Sequence, residues 1–378
     1  MTKTLTFGVF ILSIILTGSV GLATAQIASE PQSPAPIVRQ GSGKGDSTPN
    51  AEVDGLRITT AREDLAGATT VRKAPGDFNG DGKTDFSIVR PGPGEGSGTL
   101  TWWIRLNGPN TFSGTQWGFN SDFIVPADFD GDGKDDIAIW RRQTGNSGFY
   151  VIRSSDNTFS FTHIGQPGDD PLVVADYTGD GVDDPAIYRA GAGNGQSFFW
   201  YSPSSGPFVG QFAGLPWGMG GDIALIGDYN GDGVADFTVA RVEGNASVVY
   251  TMFGTVDGSV GETRRTIWGL PSDIFVPGDY DGDGKTDLAV TRWVGSTVRW
   301  IYLPSSGAPI AYIPWGLSNG TDLEAHGDYD GDGITDLAIW RTSGTLRGYF
   351  IVRLSGGGVL YEHWGGLPGD APTIWEFK

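Results

Sequence analysis

The chain has no cysteine, so neither a disulfide nor a cysteine-borne lipid anchor is available to it. Histidine is nearly absent, with three copies. His163 and His363 hold the same repeat position, and His326 stands where other repeats carry Pro or an apolar residue. None is grouped with a Ser or a carboxylate in a recognisable catalytic pattern. Zinc-ligand spacing, a Gly-rich phosphate loop and a nucleophile elbow are all missing. Positive charge is scarce too: 25 Lys and Arg face 44 Asp and Glu, a net charge of −19. Such a surface repels nucleic acid and anionic membranes. No stretch shows a helical period, and 61 glycines argue against long helices.

What is present begins with an export signal. Lys3 precedes an apolar run from Leu5 to Leu16, and Ala23-Thr24-Ala25 supplies the small-x-small cleavage pattern. The alternative is an uncleaved anchor of barely spanning length, but Gly and Ser interrupt the run. Residues 1–25 are therefore expected to be a signal peptide, and the mature protein to be secreted, periplasmic or displayed at the cell surface. No later segment is apolar enough to span a bilayer. Residues 26–53, rich in Pro, Ser, Gly and Gln, lack hydrophobic periodicity and are expected to form a disordered linker. One strand is expected near Leu56 to Thr59, with no place assigned to it.

From Asp77 onward the chain repeats. Six acidic loops start at Asp77, Asp128, Asp176, Asp228, Asp279 and Asp328, about 50 residues apart. In each unit a strand enters the loop (IVPADFDGDG), a second leaves it (DIAIWR), an aromatic third follows (GFYVIR), and a fourth ends near Trp-Gly or its equivalent. Four strands in this length make one propeller blade. Independent modules are disfavoured, because so small a unit cannot bury both faces of its sheet without neighbours. Residues 54–378 are thus expected to form an all-β propeller. Asp122, Asp170, Asp222, Asp273 and Asp322 each stand six residues before a loop, whereas Val71 precedes the first. The C-terminus begins the pattern again with Asp370 in the matching place and then stops. Its last strand is expected to dock beside the first repeat. Six blades are favoured; a seventh, built from Ala51–Thr70 with Asp370–Lys378, is the alternative.

The loops align as D-x-[DNT]-G-D-G-x-x-D. Calcium is a hard cation that takes six to eight oxygens in irregular geometry. Side chains at positions 1, 3, 5 and 9 offer oxygens, as does the backbone carbonyl at position 7. Gly at positions 4 and 6 permits the positive φ that folds the acids toward one point. Asp-Gly turns alone would explain the glycines but not four oxygen-bearing positions in six copies. An EF-hand would carry Glu at position 12 entering a helix; here that position is Ile88, Ile139, Ile187, Val239, Val290 or Ile339, leading into a strand.

At these loops the sequence resembles the FG-GAP and VCBS repeat family, which includes the calcium loops of integrin α-subunit propellers and related fungal lectins. The likeness runs from about Val71 to Lys378. It lacks a clear Phe-Gly…Gly-Ala-Pro signature, so the bacterial VCBS-type variant is the closer match. The resemblance implies a β-propeller with calcium on the strand-connecting loops, and no particular ligand. Carried over residue by residue, it implies metal ligands Asp77, Asn79, Asp81 and Asp85 in loop one, and Asp128, Asp130, Asp132 and Asp136 in loop two. Loop three offers Asp176, Thr178, Asp180 and Asp184; loop four offers Asp228, Asn230, Asp232 and Asp236. Loop five offers Asp279, Asp281, Asp283 and Asp287, and loop six Asp328, Asp330, Asp332 and Asp336. These hold 21 of the 44 acids, so six Ca2+ would relieve much of the self-repulsion. Loop three departs most, with Thr at position 3 and Pro185 after position 9. It is expected to be the weakest site, and equal affinity at all six loops in a calcium titration would refute this.

Arg90, Arg141, Arg189, Arg241, Arg292 and Arg341 recur thirteen residues after the first Asp of each loop. A ring of anion-binding guanidinium groups is one reading. A sixfold pairing with framework acids such as Asp122 and its equivalents is the better one. Trp102-Trp103, Phe198–Tyr201, Trp300 with Tyr302, and Tyr349-Phe350 fall on the third strands and are expected to be mostly core. Ligand contacts are expected from irregular loops that differ between units: PGPGEGSG, AGAGNGQ and FGTVDGSVGE. The Asn-x-Ser/Thr matches at Asn245 and Asn319 are read as chance. The function expected is a non-catalytic, calcium-stabilised binding or adhesion module, monomeric, with an extracellular glycan or protein ligand. The alternatives are an extracellular polysaccharide lyase or hydrolase on the same scaffold, and a purely structural surface protein.

Overall fold

The computed structural model describes residues 74–94, 98–108, 111–206, 208–255, 258–344 and 347–374. The expected signal peptide, the linker and the strand near Leu56 lie outside them. Among the described residues all regular structure is β. Blade 1 contains β1 (Phe86–Pro91), β2 (Thr99–Arg105) and β3 (Phe112–Phe119). Blade 2 contains β4 (Phe123–Ile124), β5 (Ile137–Arg141), β6 (Gly148–Ile152) and β7 (Phe159–His163). Blade 3 has β8 (Ala186–Arg189), β9 (Gln196–Tyr201) and β10 (Ala213–Met219). Blade 4 runs β11 (Ile223–Leu225), β12 (Phe237–Glu243), β13 (Ala246–Gly254) and β14 (Val260–Ile267). Blade 5 runs β15 (Ile274–Phe275), β16 (Leu288–Val294), β17 (Thr297–Leu303) and β18 (Ala311–Leu317). Blade 6 runs β19 (Asp322–Glu324), β20 (Leu337–Arg341), β21 (Tyr349–Arg353) and β22 (Val359–His363), after which β23 (Ala371–Pro372) returns to blade 1.

Every pairing is antiparallel and follows chain order within a blade, except that β23 lies against β1. Ile88 faces Pro372 and Val89 faces Ala371, so the last strand supplies the inner edge of the first blade. Asp370, just before it, forms a bidentate pair with Arg90 at 2.7 and 2.9 Å. The ring therefore closes at six blades, and the C-terminal strand is spent on blade 1 rather than on a seventh. Blade 3 is the irregular one. Its sheet has three strands, and a single bridge between Asp170 and Tyr188 stands where a fourth runs elsewhere.

The blades are held by apolar clusters that straddle the seams. One joins Phe86 and Ile88 of blade 1 to Trp340 and Phe350 of blade 6; another joins Phe199 and Tyr201 to Phe237 and Met252 across blades 3 and 4. Alternation on the third strands places Trp102, Phe199, Trp300 and Phe350 in full burial. Burying these rings is worth about 1.5–3 kcal/mol each, and only a neighbouring blade can supply the second wall.

Indoles add a polar lock. Trp117, Trp217, Trp315 and Trp364, each beside a Gly at the end of its blade, donate Nε1–H to a backbone carbonyl of the next blade: Tyr150, Tyr250, Ile351 and Trp103, at 2.9–3.3 Å. The adjacent glycines require a positive φ, from +85° at Gly218 to +105° at Gly316. A Cβ on Gly118 would lie 3.0 Å from Ile139 of the following blade.

Around the central channel runs a closed belt of hydrogen bonds. The backbone N–H at position 8 of each acidic loop donates to the carbonyl of the first Asp of the preceding loop. The pairs are Asp135 to Asp77, Asp183 to Asp128, Ala235 to Asp176, Thr286 to Asp228, Thr335 to Asp279 and, closing the circle, Thr84 to Asp328. The channel, about 400 Å³, is lined mainly by apolar residues just before the loops, including Pro75, Pro126, Val174, Ile226 and Pro277. The six acidic loops thus gather around one mouth of it.

Candidate metal centres

Each acidic loop is a tight turn wound about its first carboxylate. In loop two, Asp128 Oδ1 accepts from Gly131 N at 2.6 Å and Asp132 N at 3.2 Å, while Oδ2 accepts from Gly133 N at 2.9 Å. Both glycines adopt positive φ, +76° and +84°, as do their counterparts in the other five loops. Position 4 carries a second constraint. The side chain at position 7 of the next loop covers it, so a Cβ on Gly131 would meet Val182 at 2.8 Å and one on Gly231 would meet Lys285 at 2.9 Å. Neighbouring loops are therefore in direct contact.

The last carboxylate of each loop is the buried one. Asp85, Asp136, Asp184, Asp236, Asp287 and Asp336 expose at most 1% of their surface. Asp136 Oδ2 accepts from Phe129 N at 3.0 Å and Oδ1 from Ser154 N at 2.7 Å, and the other five repeat this geometry. Even with these bonds, burial pushes Asp85, Asp184 and Asp236 up to about 7, and Asp136, Asp287 and Asp336 up to about 6. Repulsion from neighbouring carboxylates, such as Asp77 and Asp81 on Asp85, adds to the effect.

Loops two, five and six bring three carboxylates together. Oxygens of Asp128, Asp130 and Asp136 lie within 4.8 Å of one another, as do those of Asp279, Asp281 and Asp287, and those of Asp328, Asp330 and Asp332. These are the loops with Asp at position 3. In the others that position bonds within the loop: Asn79 Nδ2 donates to Asp85, Asn230 Nδ2 to Asp232, and Thr178 Oγ1 to Asp176 at 3.3 Å. In loop one an amide turned by 180° would offer oxygen instead, and in loop four Asn230 Oδ1 already points into the loop, accepting from Asp232 N at 2.8 Å, so both loops keep an oxygen at this position. An all-oxygen cage of three or more carboxylates has the hardness and flexibility that calcium selects.

A second group of residues crowns the loops and has no counterpart in the sequence reading. Ser154 and Ser155 donate to Asp132 at 2.8 Å and Asp130 at 2.5 Å. Ser305 and Ser306 do the same for Asp283 and Asp281, Ser355 for Asp332, and Ser204 for Asp180. The signal was available as a Ser-Ser or Ser-Gly step just after the third strand of four units.

The recurring arginines are architectural. Arg141, Arg241, Arg292 and Arg341 pair with Asp122, Asp222, Asp273 and Asp322 at 2.7 Å. Each of these acids also caps the corner behind it, as where Asp122 accepts from Phe119 N. Blade 3 corrects the expected register. Arg189 pairs with Asp169 at 2.8 Å, not with Asp170, which instead accepts from Leu172 N and forms the backbone bridge to Tyr188. The acid is placed by its corner, where Asp169 receives Gln166 N, and blade 3 has one more residue between that acid and its loop.

Of the irregular segments, AGAGNGQ and PGPGEGSG follow the second strand and so lie at the end of the blade away from the acidic loops; FGTVDGSVGE lies at the acidic end. Parts of the last two fall outside the described residues. His163 and His363 are exposed at the ends of the outer strands of blades 2 and 6. His326 faces the channel, and burial lowers its imidazole to about 4, so it is neutral at physiological pH.

Residues 77–139 match the family model of the FG-GAP-like repeat, consistent with the FG-GAP/VCBS resemblance of the units. No curated protein matches the chain. A crystal structure of a protein from Lactobacillus plantarum is similar at 12% identity and a TM-score of 0.38, covering 74% of this chain and 82% of that one.

Proposed function

We propose that this is an exported, non-catalytic binding or adhesion module whose propeller requires calcium in its acidic loops. The observation that carries the metal reading is the burial of like charges. Each of the six loops holds an almost inaccessible carboxylate raised to about 6 or 7, and loops two, five and six gather three carboxylates within 4.8 Å of one another. A divalent cation relieves both causes of that rise, the lost hydration and the mutual repulsion. The ligands would be the side chains at positions 1, 3, 5 and 9 of each loop, six ions in all. Export rests on Lys3, the apolar run and Ala23-Thr24-Ala25, and adhesion on repeats of this class. Screening glycans and matrix proteins with and without calcium tests the module; turnover of a polymer that survives loop mutations but not substitutions elsewhere would instead support the polysaccharide-acting enzyme.

The raised carboxylates set the pH behaviour of the metal-free protein. A group whose folded pKa lies above its unfolded value of 3.8 binds more protons when folded, so its contribution to stability is lost as pH rises through 6 to 7. In chelator the protein is expected to melt higher at pH 5 than at pH 8. In calcium the order reverses, because protons compete with the ion. Thermal scans at both pH values, with and without chelator, check the crossover.

A further inference from the structure

The corner at the end of each blade carries Trp117, Trp217, Trp268, Trp315 or Trp364 in five blades, and Ile164 in blade 2. The substitution leaves a gap. Between blades 2 and 3 a cleft of about 210 Å³ is lined by His163, Ile164, Ile187, Arg189, Trp200 and Phe212. Its walls correspond to those that hold an indole elsewhere. Trp117 packs against Phe159 of the following blade with ring centroids 5.9 Å apart, and Trp364 against Phe112 at 5.6 Å. Phe212 is the residue at that register in blade 3, since Gly214 faces Trp200 as Phe161 faces Tyr150 and Gly114 faces Trp103. The carbonyl that would receive the indole N–H is Trp200's, at the register of Tyr150 and Trp103, and Ile164 has no donor to give it.

We infer that this seam is a binding site for a small planar aromatic ligand bearing an N–H donor, of the indole class. The ring would lie on Ile164 and Ile187, meet Phe212 as Trp117 meets Phe159, and donate to the Trp200 carbonyl. The apolar walls supply the affinity, and the single hydrogen bond fixes the orientation. A cleft of this size admits one bicyclic ring, which makes the ligand a small molecule. The site is at a seam, away from the acidic loops, and does not depend on the metal.

The test is a ¹⁹F NMR titration of 5-fluoroindole against the mature protein, with indole and 1-methylindole as competitors. Saturable binding is expected, with indole displacing the probe and 1-methylindole, which lacks the donor, competing several-fold more weakly. Ile164→Trp should fill the cleft, raise the melting temperature and abolish binding. Phe212→Ala, a change at a half-exposed ring, should weaken binding several-fold and keeps the test sharp should the tryptophan variant misfold. Absence of saturable binding, or affinity unchanged in either folded variant, overturns the assignment. Equal competition by 1-methylindole overturns the hydrogen bond to Trp200.

Discussion

Transfer of the purified mature protein from millimolar calcium to chelator is expected to lower its melting temperature by tens of degrees. One ion bound at a concentration a hundredfold above its Kd contributes about 2.7 kcal/mol, and six loops share the effect. The belt makes the loss collective. Each loop's position 8 donates to the carbonyl of the first Asp of the loop before it, and in five loops the position 7 side chain rests on the preceding position 4 glycine. A loop that opens on losing its ion removes a wall from its neighbour. Without disulfides, nothing covalent holds the ring when the loops open. Native mass spectrometry should find about six calcium ions in the intact protein. A protein that melts at one temperature in both conditions and carries no metal by elemental analysis would end the calcium reading.

Deleting residues 370–378 is expected to be as damaging as removing the metal. The deletion takes away β23, leaves β1 as an unpaired inner edge, and strips Arg90 of Asp370, whose side chain is fully buried. Breaking a buried pair by removing one partner costs about 3–5 kcal/mol, and the lost strand adds to that. Open edges also invite pairing between chains. The truncated protein should lose cooperative unfolding and associate, as seen by calorimetry and light scattering. Adding back a peptide of these nine residues should partly restore the transition. A truncated ring that melts as one cooperative unit within a few degrees of the full chain would show that the closure contributes little. Asp322→Asn provides the comparison, since it breaks the same pair within blade 6 while the ring stays closed.

Much of the architecture was readable in advance because it repeats. Six copies of the acidic loop define the unit, and Asp370 in the matching place foretells which strand closes the ring. The burial of Trp102, Phe199, Trp300 and Phe350 follows from strand alternation in a sheet walled on both faces. The pairing of the six arginines with acids was also legible, yet its register failed at blade 3. There Asp169 rather than Asp170 receives Arg189, because the acid is held at the corner behind it, where it accepts from Gln166 N, and one extra residue separates it from the loop. The serines that crown the loops went unread for a related reason. They reach the loop from the far end of the third strand, a proximity created by sheet pairing and invisible to local spacing.

By itself the sequence determined the fold class, the length of the repeat and the oxygen chemistry of the loops, since each depends on residues close together in the chain. Tertiary structure alone decided which carboxylate in each loop is buried, that the loops are hydrogen-bonded in a closed circle, and that Ile164 leaves a cleft where five blades place an indole. The division has one physical cause. Backbone turns and hydrogen-bonded sheets are written in local sequence, whereas burial and vacancy are properties of seams, and a seam exists only when two blades meet.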